Sequence, residues 1–354
     1  MNKSIEYTTV WEQIEKLKSQ NLIITNDQTA FDMLSSFGYS NLIKSYREPY
    51  ISQTKNGELS YHNIPIEQIE SLYTLDKNIR NAIMASMQDL EEHIKESSAN
   101  VIAKSFGVNQ NEYLQYKNYR DKKRVKYRFS LKGILETISK NTLSDKDPIA
   151  HYRNKYDLIP PWILFKSIYF STMVNFISLF KPKEQEALAS QLYNNSPFNF
   201  DTTDSKKIMM DTLYIALEFR NLAAHGGRMY NYTPSSTLRF DEISSLHLRD
   251  FIPSHGLGQL LELLDLLTYS APAYRLRESI ATEVIRHCED YPHDFTFLRE
   301  ALQINASLTK VVHVTPNSKI FHQDSSCSGM KHPYQLTLEE ATEQGYMPCK
   351  RCYR

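Results

Sequence analysis

Residues 209–231 read MMDTLYIALEFRNLAAHGGRMYN. Neither proline nor glycine interrupts 209–225, and Gly226-Gly227 follows at once. Met210, Leu213, Leu217 and Ala224 mark an apolar side, so the spacing predicts a helix over 205–225 that the glycines end. Its last turns carry Arg220, Asn221 and His225. Asn221 and His225 are one helical turn apart and share a face. Arg220 lies roughly 140° from His225 around the axis, at about 100° per residue. One straight helix therefore does not bring Arg220 and His225 together, whereas two antiparallel copies in a homodimer would.

Those residue types suit phosphoryl chemistry. Carbonyl ends in a last turn favour an imidazolium, which fits a histidine for general acid or base work near neutral pH. Arginine can hold a phosphate and offset charge in the transition state, and asparagine can orient either group. Together they suit metal-independent RNA cleavage by attack of a 2′-OH on the adjacent phosphate. The same spacing is also met by a plain C-terminal charge cap, with Arg220 paired to a nearby carboxylate. Among the 11 histidines, only His225 has an arginine five positions before it.

The rest of the chain frames a helical protein. Its 354 residues suffice for two or three domains at roughly 100–200 residues each. Hydrophobic residues make up 41% and glycines number only 10, which argues for a packed, helix-rich core and against disorder. Lys+Arg and Asp+Glu balance at 41 each, so any nucleic-acid surface must be a local patch. The opening MNKSIEYTTVWEQIEKLKSQ has no apolar signal core. The stretch 162–180, WILFKSIYFSTMVNFISLF, is interrupted by Lys166 and Asn175 and reads as a buried helix, not a membrane span. A cytoplasmic protein is expected, in which cysteines serve metals more often than disulfides.

Helical periodicity recurs along the chain. Val10, Trp11, Ile14 and Leu17 share a helix ending near Asn21. A second helix opens at Asn26 or Asp27. Ile79, Ile83, Met87, Leu90 and Ile94 keep the 3.6 period in a long run over 64–107. DPIAHYRNKYDLIPPWILF reads as a loop, with Pro160-Pro161 opening one helix over 162–180. Three more helices are expected from KPKEQEALASQL, GLGQLLELLDLL and YRLRESIATEVIRHCEDYP. Residues 117–132 carry eight Lys/Arg and one acid, with Tyr119, Tyr127 and Phe129 interleaved. This is either a solvated face or an RNA contact through Lys122, Lys123, Arg124, Lys126 and Arg128.

Near Ser307 the composition changes. VVHVTPNSKIFH reads as a hairpin turning at Pro316-Asn317-Ser318. TLEEATEQGY reads as a short helix with Thr337 and Glu340 as a capping box and Gly345 past its end. The expected architecture is an all-α domain over 1–305 and a small ββα module over 308–354. So short a module needs a staple. Zinc would be one: Cys349 and Cys352 form a C-x-x-C pair, and His322 and Cys327 complete a closed, structural Cys₃His set. His313 and His332 are rival ligands. The lines IFH, SSC and GYMPCKRC resemble a small zinc-binding tail found on assorted bacterial proteins.

RNLAAH is similar to the R-N-x3-H signature of HEPN-superfamily ribonucleases, and its surroundings resemble the bacterial abortive-infection (Abi, AbiD/AbiF-like) branch. Four further stretches resemble that family in order: WEQIEKLKSQNLIITN, LSSFGYSNLIKSY, YTLDKNIRNAIMASMQDLEEHIK and HYRNKYDLIPPWILFKSIYFSTMVNFISLF. The resemblance spans about residues 8–270. It implies an all-helical HEPN-type fold, a phage-defence or toxin-like ribonuclease, RNA as target or partner, and restraint by a partner that is in some cases a small RNA. Carried over by position, it makes Arg220, Asn221 and His225 the catalytic set and places Arg228 and Tyr230 on a flanking RNA-binding line. Gly226-Gly227 departs from the bulkier residues of that line and would loosen the loop before Arg228. A non-catalytic RNA-binding protein and a helical scaffold with a zinc-stapled tail are the competing expectations.

Overall fold

The computed structural model describes residues 6–53, 56–121, 129–194, 200–247, 254–303, 311–322, 325–337, 340–341 and 344–352. In chain order the elements are α1 (Val10–Ser19), α2 (Asp27–Phe37), β1 (Ile51–Gln53), β2 (Leu59–Tyr61), α3 (Ile66–Phe106), α4 (Gln110–Tyr113), α5 (Leu131–Asn141) and α6 (Ile149–Tyr156). They continue with α7 (Pro161–Leu164), α8 (Phe170–Ser178), α9 (Pro182–Tyr193), α10 (Thr202–Ala224), α11 (Ser244–His247), α12 (Gly256–Asp265), α13 (Ala271–Asp290) and α14 (Phe295–Leu302). Four short strands close the chain: β3 (Val311–Val314), β4 (Ile320–Phe321), β5 (Tyr334–Thr337) and β6 (Met347–Pro348). The protein is mostly helical, as expected. Among the described residues, no helix is long and apolar enough to cross a membrane.

Two compact units divide the chain. One comprises residues 1–80, 279–302 and 306–354, the other 81–278 and 303–305, so the cuts fall inside α3 and α13. In the first unit, the Thr9 side chain caps α1 and Glu12 returns the bond in a capping box. Asn21 lies past the end of α1 at φ 66°, a left-handed position that asparagine tolerates better than most residues. Asn26 caps α2 by accepting from the Thr29 N–H. Trp11 stacks on Phe31 with ring centroids 4.8 Å apart. A buried polar knot lies deeper in this unit. The Asp294 carboxylate accepts from the Tyr50 hydroxyl at 2.5 Å and the Gln68 amide at 2.9 Å. It also lies 2.9 Å from His287 Nε2, while His287 Nδ1 lies 2.9 Å from Ser71 Oγ.

The second unit is built around α10, which packs against α8, α9 and α12. An aromatic cluster fills the space near α8: Tyr119, Phe165 and Phe180 all approach Phe176, with centroids 4.7, 5.9 and 5.1 Å away. Two expectations change here. The apolar stretch 162–180 is not one helix. After α7 a 3-10 turn runs over Phe165–Ser167, and Ile168 and Tyr169 are extended before α8 begins. Ser167 Oγ donates to the Leu164 carbonyl at 2.7 Å, taking an acceptor that a continuing helix would use and so favouring the break. The segment before the prolines holds α6 rather than a loop, and Asp157 ends it in the left-handed conformation.

The C-terminal module has more strand than a ββα unit. His313 and His322 exchange both backbone hydrogen bonds at 2.8 Å, which joins β3 to β4 as the hairpin reading required. β5 then pairs antiparallel with β3, and β6 pairs parallel with β4. Of the short helix, Glu340 and Ala341 are described, with Gly345 at φ 75° and the Tyr346 N–H bonded back to the Ala341 carbonyl. Val312, Val314, Phe321, Ala341 and Tyr346 form its core together with Ile285 of α13. The module thus borrows apolar surface from a helix, which eases the shortage that its length imposes.

Candidate active site and metal centre

α10 owes its start to Asp201, whose side chain accepts from the Asp204 N–H at 2.7 Å. Its buried stripe runs through Ile208, Met209, Leu213, Ile215, Ala216, Phe219 and Ala223. Of the positions chosen from sequence, Leu213 is buried, Met210 and Leu217 are half-buried, and Ala224 is exposed. His225 is the C-cap, one residue past the last helical position. The Gly226 N–H bonds to the Ala223 carbonyl and the Gly227 N–H to the Leu222 carbonyl, with Gly226 at φ 72°. This is the Schellman closure, in which the residue after the cap must be left-handed. A Cβ on Gly227 would lie 2.2 Å from Leu222 Cδ1. The glycine pair therefore tightens the helix end rather than loosening it.

Arg220 and Asn221 are half-buried, and Arg220 Nη1 lies 3.4 Å from Asn221 Oδ1. His225 is exposed. Among the described residues, Arg220 makes no ion pair and the His225 side chain makes no hydrogen bond. The carboxylate that could have claimed Arg220 is engaged elsewhere. Glu218 accepts from the Ser235 N–H at 2.7 Å, the Ser236 N–H at 2.8 Å, Ser235 Oγ at 2.9 Å and the Tyr232 hydroxyl at 3.1 Å. Burial alone would raise the Glu218 carboxyl, but the hydrogen bonds from Ser236 and Ser235 outweigh it and hold it below its ordinary value. This clamp returns the loop after the glycines to α10. Sequence reading missed it, because Glu218 and Ser235 carry no signal until the loop is folded.

The Arg228 guanidinium lies over the Tyr230 ring, 5.6 Å from its centroid. Tyr230 is 2% exposed, so it supports Arg228 rather than offering a ring for base stacking. Lys122, Lys123, Arg124, Lys126 and Arg128 lie outside the described residues.

The four ligand candidates of the C-terminal module come together. Ligand atoms of His322, Cys327, Cys349 and Cys352 all lie within 4.8 Å of one another. The Cys327 and Cys349 sulfurs are 4.0 Å apart, and Cys352 Sγ is 3.9 Å from His322 Nδ1. A tetrahedral ion with metal–sulfur bonds of about 2.3 Å separates its sulfurs by similar spans, so the donor set fits zinc. His322 stands at the end of β4, Cys327 opens a 3-10 turn, and Cys349 and Cys352 flank a backbone knuckle in which the Cys352 N–H bonds the Cys349 carbonyl. Burial opposes the Cys349 thiolate, but backbone N–H groups of Arg351 and Cys352 outweigh it and lower the thiol. Burial lowers His322, with a smaller push from His313, and so favours the neutral, ligating imidazole. His313 and His332 are outside the cluster.

No curated protein and no solved structure is detectably similar to the chain. A family described as Abi-like protein matches residues 32–231. That span runs from α2 through the capped end of α10 to the loop carrying Arg228 and Tyr230, and stops before the His/Cys cluster. Covering more than half of the sequence, the match shows that the chain belongs to the Abi-like protein family.

Proposed function

We propose that the chain is an endoribonuclease of abortive infection, with its site at the capped end of α10. Membership of the Abi-like family supports the phage-defence role. The observation that carries the chemistry is the exposed, unbonded imidazole of His225, one turn beyond Asn221 on the helix that carries Arg220. In the proposed reaction His225 takes the proton from a ribose 2′-OH, whose oxygen attacks the adjacent phosphorus. The bond to the 5′-oxygen breaks, that oxygen takes a proton from water, and the His225 imidazolium returns its own proton to the solvent. The products are a 2′,3′-cyclic phosphate and a 5′-OH. Arg220 neutralises the phosphate oxygens as charge builds, and Asn221 orients Arg220. Because Arg220 and His225 diverge around α10, one copy supplies the arginine and a second copy the histidine, in an antiparallel homodimer.

Assay of cyclic-phosphate ends on added RNA tests this. His225→Ala and Arg220→Ala are each expected to abolish cleavage while leaving the melting temperature unchanged. Undiminished cleavage in both variants would sink the proposal. Mixing the two inactive variants should restore part of the activity through hybrid dimers.

We also infer that the C-terminal centre holds zinc in a structural role, supplying the cross-link of a closed four-ligand site. Metal analysis should find about one zinc per chain. Cys349→Ser should lose it, and retention of the metal would exclude this ligand set.

A further inference from the structure

A second charged site lies on the N-terminal half of α10. A pocket of about 330 Å³ is lined by Arg120, Lys206, Lys207 and Arg239, with Asp211 as its one acid. These charges are unequally committed. Arg239 is bound to Asp211, with Nε 2.9 Å from Oδ1 and Nη2 2.9 Å from the same oxygen. Lys206 reaches Glu186 at 2.7 Å. Arg120 instead meets uncharged acceptors: Nη2 lies 3.0 Å from Gln185 Oε1 and 3.4 Å from the Ser178 carbonyl, and its buried Nε has no partner. Lys207 donates to the backbone carbonyl of Glu242, whose carboxylate lies 3.9 Å from Arg239. Against these four cations stand the carboxylates of Asp211, Glu186 and Glu242, which leaves one positive charge in excess, and among the described residues neither Arg120 nor Lys207 is paired with a carboxylate.

His225 lies about 27 Å farther along α10 from Lys207, and the loop held by Glu218 and by the Arg239–Asp211 pair covers the helix face between them. From this lining we propose that the pocket binds a backbone phosphate of the RNA, at a subsite separate from the bond cleaved at His225. The assignment of RNA rests on the ribonuclease reading; the capacity to hold phosphate rests on the pocket alone. Free nucleotides offer the same phosphate chemistry, and the test separates the two sources.

The full-length protein is titrated with a fluorescent single-stranded 2′-O-methyl RNA, which binds but lacks the attacking hydroxyl. Affinity is read across a salt series for wild type, Lys207→Gln and Arg120→Gln. Removing one cation that pairs with a phosphate should lower the slope of log K against log salt by about 0.7, with several-fold weaker binding at fixed salt. Lys207→Arg and Arg120→Lys keep the charge and should keep the slope, which separates the loss of a charge from misfolding. Competition with ATP and tripolyphosphate follows. Binding of those compounds that depends on Lys207, without RNA binding at any salt, would overturn the RNA assignment. Unchanged slope and affinity in both glutamine variants would overturn the pocket, whatever the cleavage assay shows. Lys207-dependent RNA binding without cleavage would support the pocket and refute only the ribonuclease reading.

Discussion

Replacing Glu218 by alanine should loosen the loop behind the proposed catalytic histidine. Four donors converge on this carboxylate: two backbone N–H groups and two hydroxyls. Hydrogen bonds to a charged acceptor contribute roughly 1.5–3 kcal/mol each when sheltered. Ser235 is exposed and Glu218 only half-buried, so water replaces much of the loss and screening weakens the rest. A total near 2 kcal/mol is expected, not the sum of four. In a unit of this size that lowers the melting temperature by about 4–8 °C. Circular dichroism melts of wild type, Glu218→Ala and Glu218→Gln measure it. Glutamine should not rescue, because its NH₂ faces donors. The pH dependence adds a second signature. A carboxyl lowered by folding stabilises above its unfolded value and loses that contribution as pH falls through the folded value. The wild-type advantage should be full near pH 7 and shrink below about 4.5. Equal melting of wild type and Glu218→Ala at pH 7 would refute the clamp.

Three other substitutions probe separate parts of the molecule. Gly227→Ala places a Cβ against the Leu222 side chain and 3.2 Å from its carbonyl. It should cost about 1–3 kcal/mol and reduce cleavage more than thermal stability, since the displaced turn carries His225. Asp294→Ala leaves the buried Tyr50, Gln68 and His287 without their shared acceptor. At about 1–3 kcal/mol for each orphaned group, urea unfolding should shift by more than 3 kcal/mol; a shift under 1 kcal/mol would mean the knot is dispensable. Gly258→Ala would bring a Cβ within 1.9 Å of the Gln303 carbonyl. That neighbour is backbone and cannot rotate away, so poor expression or a melting temperature at least 5 °C lower is expected.

What could be read from sequence follows the physics of each signal. The long run over Ile66–Phe106 was visible because its buried positions, Ile79, Ile83, Met87, Leu90 and Ile94, repeat at the helical period. The cysteine pair of the His/Cys cluster was visible because C-x-x-C spacing survives any fold around it. α6 was not, since Ile149 is its one buried residue and no apolar stripe marks it. The break at Ile168 depends on one serine hydroxyl rather than on proline or glycine, so an apolar count passes over it. β5 is four residues long, and its partner strand lies far back in the chain. The geometry of Arg220 and His225 was legible on a helical wheel. The fate of Glu218 was not, because its partners sit in a loop whose course no periodicity encodes.

The strand order of the C-terminal module also bears on when each part of the protein forms. Helices such as α10 grow from contacts a turn apart, so they can assemble early. β4 and β6 pair Ile320 with Met347 only after the chain between them, including β5, has returned. Closing such a loop costs entropy before any contact rewards it. An ion gripping His322 and Cys327 on one side and Cys349 and Cys352 on the other would hold the same two chain segments together. The ion would then act on the order of assembly as well as on final stability: in its absence, the module should be the last part to refold and the first to fray.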